Sequence, residues 1–123
     1  MKVVYSDLKN KRVFISGGGS GIGATIVEHF CEQKSEVYFI DIDLKSSKKL
    51  IKKIKKKGYR VPKFIECNIL DVKKLQNIIK DIISKKGAIH CLINSAANDD
   101  RHTTEQVDEK YWENRMGINL KHY

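Results

Sequence analysis

Short apolar runs alternate along the chain with segments whose apolar residues recur every three or four positions. Val13-Phe14-Ile15 anchors a predicted strand over 11–16, and Val37-Tyr38-Phe39-Ile40 one over 36–40. Similar runs predict strands over 61–67 and 89–94. Ile22, Ile26, Val27 and Phe30 form the stripe of a helix over about 21–33. Leu44, Leu50, Ile51 and Ile54 give a second helix, with Asp43 placed to cap it. Val72, Leu75, Ile78, Ile79, Ile82 and Ile83 give a third, capped by Asp71 and ending near Gly87. A polar loop over 98–104 leads to a last helix from about Asp108.

Strands alternating with helices at these lengths predict βαβ units and a parallel sheet. Near-continuous apolar strands suit a sheet covered on both faces. The expected fold class is therefore α/β, a Rossmann-type doubly wound parallel sheet, carried to the fourth strand and part of the following helix. At 123 residues and 41% hydrophobic content the chain fits one small domain with one core. No repeat or proline-rich linker divides it, and Pro62 is its one proline.

The formal net charge of +9 changes that picture little. Much of it lies on Lys45, Lys48, Lys49, Lys52, Lys53, Lys55, Lys56 and Lys57, which form the wet face of the second helix. Nucleic-acid surfaces usually mix arginine and aromatic groups into such a patch. Here there is almost only lysine, so a solvated face is expected and no nucleic-acid partner. No apolar stretch is long enough to span a membrane, and the first residues lack a signal-peptide pattern. Cys31, Cys67 and Cys91 lack metal-ligand spacing and sit in or beside apolar runs, as reduced, buried, cytoplasmic thiols would. No metal site is expected.

The chemistry concentrates in Ser16-Gly17-Gly18-Gly19-Ser20-Gly21-Ile22-Gly23, between the first strand and the first helix. Gly17 permits a tight turn, Gly21 lets a pyrophosphate approach the backbone, and Gly23 lets helix and strand pack closely. Free N–H groups and the positive end of the helix dipole then face the phosphates. The spacing is G-x-x-x-G-x-G rather than the G-x-G-x-x-G of the general dinucleotide fingerprint. Asp41 ends the second strand 18 residues past Gly23, where a carboxylate would accept hydrogen bonds from the adenosine ribose. That charge would repel a 2′-phosphate, and no Arg or Lys stands in the glycine loop to attract one, so NAD is expected rather than NADP. Asn68 ends the third strand and either reaches the adenine or serves as a helix-start turn residue. Asn94 ends the fourth strand, and the crevice between strands one and four should bring the glycine loop and residues 94–97 into one pocket.

These residues resemble the short-chain dehydrogenase/reductase family. Its T-G-x-x-x-G-x-G stands here as Ser16 to Gly23, its N-N-A-G as Asn94-Ser95-Ala96-Ala97, and its Asn in the next helix as Asn119. Its adenine-contacting Asp is Asn68 here, uncharged but still able to accept a hydrogen bond. The resemblance implies that Ser16, Gly17, Gly19, Ser20, Gly21, Ile22, Gly23, Asp41, Ile42, Asn68, Ile69, Asn94, Ser95 and Ala96 bind NAD, with Asn119 catalytic. It also implies that the full-length form is a homo-oligomer.

Asn98-Asp99-Asp100-Arg101-His102, Tyr111-Trp112, Asn119-Leu120-Lys121-His122 and Leu8-Lys9-Asn10-Lys11-Arg12 are similar to the NAD-dependent sugar 1-dehydrogenases of the family, such as D-xylose 1-dehydrogenase. The implied reaction oxidises an alcohol or an aldose C1 hydroxyl by hydride transfer to NAD⁺. Asp99, Asp100 and His102 become candidates for the substrate side, since each buried sugar hydroxyl needs a partner.

Two departures stand out. Ser95 and Ala97 replace Asn and Gly of the family loop, and the Cβ of Ala97 is costly if its φ is positive. The family's catalytic Ser and Tyr-x-x-x-Lys, expected beyond the helix of Asn119, have no counterpart there before Tyr123. The chain is thus expected to be the NAD-binding N-terminal half of one short-chain dehydrogenase domain over 1–123, inactive alone. Its alternative is a non-catalytic NAD-binding remnant or regulatory module. An isolated half would leave the fourth strand's edge, Trp112 and Met116 uncovered, and so be marginally stable.

Overall fold

A computed structural model describes residues 2–98 and 103–121. Four parallel strands lie in the order β3-β2-β1-β4: β1 (Arg12–Ser16), β2 (Glu36–Asp41), β3 (Lys63–Glu66) and β4 (Cys91–Asn94). Between them run α1 (Gly21–Glu32), α2 (Leu44–Lys56) and α3 (Val72–Lys86), and α4 (Glu109–Met116) follows β4. The expected doubly wound α/β arrangement is present, with β1 flanked by β2 and β4 at the point where strand order reverses.

The two-residue period of the strands divides the core into two layers. Val13, Ile15, Val37 and Phe39 face α1 and α2 through Val27, Cys31, Leu50 and Ile54. Phe14, Tyr38 and Ile40 point the other way, toward Cys67, Ile69 and Ile82. Burying a side chain such as Phe39 or Ile54 contributes about 1.5–3 kcal/mol. Only β1 and β2 are covered on both faces; β3 is half-buried at Phe64 and Ile65 and exposed at its ends, β4 alternates, and Leu92 and Trp112 are exposed.

The helix starts follow the sequence. Asp43, Asp71 and Asp108 each accept a bond from the backbone N–H three residues on, at Ser46 (2.9 Å), Lys74 (3.1 Å) and Tyr111 (2.6 Å).

Two strands are shorter than expected, for identifiable reasons. β3 starts at Lys63 rather than residue 61 because Pro62 offers no N–H to the ladder. β4 starts at Cys91 rather than residue 89 because the Arg12 N–H is taken by the Nδ1 of His90 (2.8 Å). That imidazole replaces a backbone acceptor and ends the ladder.

Cys31 and Cys67 are buried as expected, while Cys91 is half-buried because it lies on the outermost strand. Burial pushes the Cys31 thiol up to about 12 and raises that of Cys67. The lysine face is also less uniform than its sequence suggests. Lys53 (2.8 Å) and Lys57 turn back to Glu28 on α1, and their bonds hold its carboxyl below the usual range.

Among the described residues no helix is long and apolar enough to cross a membrane, and no cluster of His, Cys, Asp and Glu could hold a metal.

Candidate cofactor-binding site

The carboxyl ends of the strands converge on a cleft of about 690 Å³, within the usual range for small-molecule sites. Ser16 lies just outside the lining, at the end of β1. The Ser16 hydroxyl accepts from the N–H groups of Ser95 (3.2 Å) and Ala96 (3.3 Å), joining the end of β1 to the loop after β4. Gly17 then turns with φ +68°, and a Cβ there would lie 2.6 Å from the Ala96 Cα. Gly23 has no room either, since its Cβ would lie 1.9 Å from the Gly17 carbonyl oxygen. These contacts bring the start of α1 hard against the end of β1.

Ser20 is the N-cap of α1, yet its side chain makes no capping bond. The N–H groups of Gly21, Ile22 and Gly23 have no acceptor within the helix. Twelve residues of aligned peptide dipoles add positive potential at that end. Ser20, Gly21, Ile22 and Gly23 all line the cleft, so the arrangement suits an anion such as a diphosphate.

Asp41 lines the cleft at the end of β2. One carboxylate oxygen accepts from the Gly19 N–H (2.9 Å) and the other from the Asp43 N–H (2.8 Å). A carboxylate offers about four acceptor positions, so two stay available to a ligand. Ile42 beside it is 67% exposed and also lines the cleft. Asn68 serves as the turn residue expected. Its side-chain oxygen accepts from the Leu70 N–H (3.0 Å) as a turn residue, while the residue borders the cleft with Ile69.

Ser95 and Ala96 complete the far wall with Ala97. The only described non-glycine residues with positive φ are Asn10 and Lys34, so Ala97 stands there without backbone strain.

Ser16, Gly19, Asn94 and Asn119 do not line the cleft. Ser16 and Gly19 act through the bonds above, and Asn94 pairs with Ser16 across the sheet. Asn119 lies in a π-helical turn, Gly117–Lys121, that extends α4. Its side chain donates to the Asn98 carbonyl (2.8 Å) and accepts from the Asn98 N–H (2.7 Å). Asp99, Asp100 and His102 lie outside the described residues. The sequence holds two Tyr-x-x-x-Lys spacings, and neither lines the cleft: in Tyr5 to Lys9 the Tyr5 N–H is bound to Gln33, at the far end of α1 from the glycine loop, and Tyr59 to Lys63 ends on the first residue of β3.

The cleft also takes Leu70, Asn98, Asn114 and Ile118, which the sequence reading did not single out. One signal was available. Gly117 lies inside a helical stretch, and a Cβ there would come within 2.6 Å of a Leu70 methyl. A glycine so placed marks close approach, and it lets α4 reach the cleft.

The sequence profile of the short chain dehydrogenase family matches residues 11–123. The chain belongs to this family. It is 36% identical over 118 residues to the "Probable galactose dehydrogenase" of Rhizobium meliloti, covering 96% of this chain and 46% of that one. It is 37% identical over 120 residues to a D-xylose 1-dehydrogenase of Caulobacter vibrioides, covering 97% and 46%. The chain therefore spans about half the length of the curated relatives it matches. Among solved structures, the aldohexose dehydrogenase of Thermoplasma acidophilum superposes with TM-score 0.79 at 26% identity, covering 97% of this chain and 42% of that one. An NADH-dependent reductase complexed with NAD superposes with TM-score 0.79 at 24% identity, covering 95% and 49%, a likeness of fold alone.

Proposed function

We propose that residues 1–123 form the NAD-binding half of a short-chain oxidoreductase domain that oxidises an alcohol or an aldose C1 hydroxyl. The observation that carries this reading is one cleft bordered by the open start of α1 and by the Asp41 carboxylate. The residues fit the dinucleotide. Gly17 and Gly23 leave no space for a side chain where the backbone must come close, and the first-turn N–H groups and Ser20 hold the diphosphate.

Asp41 accepts from the adenosine ribose, its charge disfavours a 2′-phosphate, and NAD is preferred over NADP. Ile42, Asn68 and Ile69 border the adenine, and Ser95 and Ala96 border the nicotinamide side. Asn119 acts through the Asn98 backbone, and Asp99, Asp100 and His102 serve the substrate side. NAD⁺ supplies the hydride acceptor. The galactose and D-xylose dehydrogenases among the relatives support an aldose as substrate. We further propose a cytoplasmic protein, homo-oligomeric at full length, with no nucleic-acid partner.

Neither Tyr-x-x-x-Lys spacing within the sequence, Tyr5 to Lys9 or Tyr59 to Lys63, lines the cleft, so the 123 residues alone bind cofactor without turnover. Calorimetric titration with NAD⁺ and NADP⁺ tests the binding claim. NAD⁺ should bind more tightly, and Asp41→Ala should narrow the difference; failure of NAD⁺ to bind would sink the proposal. NAD⁺ reduction by this chain with D-xylose or D-galactose would instead refute its inactivity.

A further inference from the structure

Behind the cleft, Ser47 presents a polar group that nothing above accounts for. It lies on α2, its residue is completely buried, and its hydroxyl has no hydrogen-bond partner among the described residues. Its backbone is fixed, with its N–H donating to the Asp43 carbonyl (3.1 Å). The hydroxyl faces the glycine loop. A Cβ built on Gly19 would lie 2.5 Å from the Ser47 oxygen and 2.9 Å from an oxygen of the Asp41 carboxylate. Three elements meet at this point: the glycine loop, the end of β2 and the first turns of α2.

Packing alone does not call for serine here. Alanine would fill nearly the same space without burying a polar atom, and burying a hydroxyl unbonded is unfavourable. A donor role accounts for it, because the adjacent carboxylate has acceptor positions left after its bonds to Gly19 and Asp43.

We propose that Ser47 is a positioning residue of the adenosine-ribose subsite: its hydroxyl turns about χ1 to donate to the Asp41 carboxylate and holds that group against Gly19. Ser47 touches no ligand and acts only through Asp41 and Gly19. The inference rests on the NAD reading for its effect on binding. The junction itself stands independently of any ligand.

With Asp41 held from behind, its charge stays where a 2′-phosphate would arrive. Released, it can swing aside. Ser47→Ala should therefore weaken NAD⁺ about fivefold by calorimetry while weakening NADP⁺ less, so that the ratio of the two affinities falls. A merely structural serine would shift the melting temperature and leave that ratio alone. Ser47→Cys, close in volume and a poor donor, should behave like Ser47→Ala, and serves if the alanine variant fails to fold.

Hydrogen exchange at the Gly19 amide of the ligand-free protein gives a second readout, since its bond to Asp41 loosens when the carboxylate is freed. Exchange should quicken severalfold in both variants. An unchanged affinity ratio together with unchanged Gly19 exchange overturns the proposal. If the parent protein binds no NAD⁺, the functional reading falls, and Gly19 exchange alone decides whether Ser47 holds the junction.

Discussion

Asn119 holds Asn98 by both of its backbone groups, accepting from the N–H and donating to the carbonyl at 2.7 and 2.8 Å. A side-chain amide used this way copies the paired bonds of a neighbouring strand. It ties the π-helical end of α4 to the loop that forms one wall of the cleft. Asn119→Ala should free that loop, raising hydrogen exchange at the Asn98 amide about tenfold, as expected for a loss near 1.4 kcal/mol. Asn119→Asp keeps an acceptor for the N–H but sets oxygen against the Asn98 carbonyl, so it should not rescue the alanine variant. Equal protection in all three proteins would count against the clamp.

Gly23→Ala should be severe. The added methyl would sit 1.9 Å from the Gly17 carbonyl oxygen, a backbone atom that cannot step aside. Relief requires α1 to move away from β1, at about 1–3 kcal/mol by the usual cost of overpacking. Urea unfolding should report that loss, and NAD⁺ affinity should fall with it. Wild-type behaviour in both would mean that the turn is looser than its geometry implies.

The Glu28 carboxyl, held below its ordinary value of 4.5 by the bonds from Lys53 and Lys57, makes stability depend on acid. A depressed folded value means the group stabilises the fold above about pH 4.5. That contribution disappears as pH falls through the folded value. The lysines are substantially exposed, so the whole pair network contributes about 1 kcal/mol or less. Glu28→Gln should be slightly less stable than the parent at pH 7, and the gap should be smaller at pH 3. Urea unfolding at both values checks this, and a gap that widens in acid would reverse the sign.

Thiol labelling should distinguish the cysteines. Cys91 is half-buried, whereas Cys31 is wholly buried with its thiol pushed up to about 12. The thiolate is the reactive form. Iodoacetamide at pH 8 should modify Cys91 first in the folded protein and reach Cys31 and Cys67 only in denaturant. Early modification of Cys31 would show that α1 opens away from the sheet.

The sequence revealed features whose causes are local. Apolar runs specify β1 and β2, and Asp43 and Asp71 cap the helices that follow because an N-cap needs only the next three residues. The glycine spacing was legible because Gly17 turns at positive φ and Gly23 meets the Gly17 carbonyl only six residues back. Features set by distant partners were not legible. The imidazole of His90 that shortens β4 acts on Arg12, 78 residues away. The π turn that aims Asn119, and the approach of Gly117 to Leu70 that brings Asn114 and Ile118 into the cleft, depend on how α4 docks. Glu28 drawing two lysines inward likewise follows from the packing of α1 beside α2.

The place of β1 between β2 and β4 sets a timetable for assembly. β1, α1 and β2 can pair once the first forty or so residues have left the ribosome, but β4 closes a loop about twice that long. Until then the Ser16 hydroxyl has no Ser95 or Ala96 to receive, and the glycine turn stands beside open water. The nascent chain can acquire a phosphate cradle early, but a chamber only late. A dinucleotide added during refolding would therefore favour the last step and leave the first untouched.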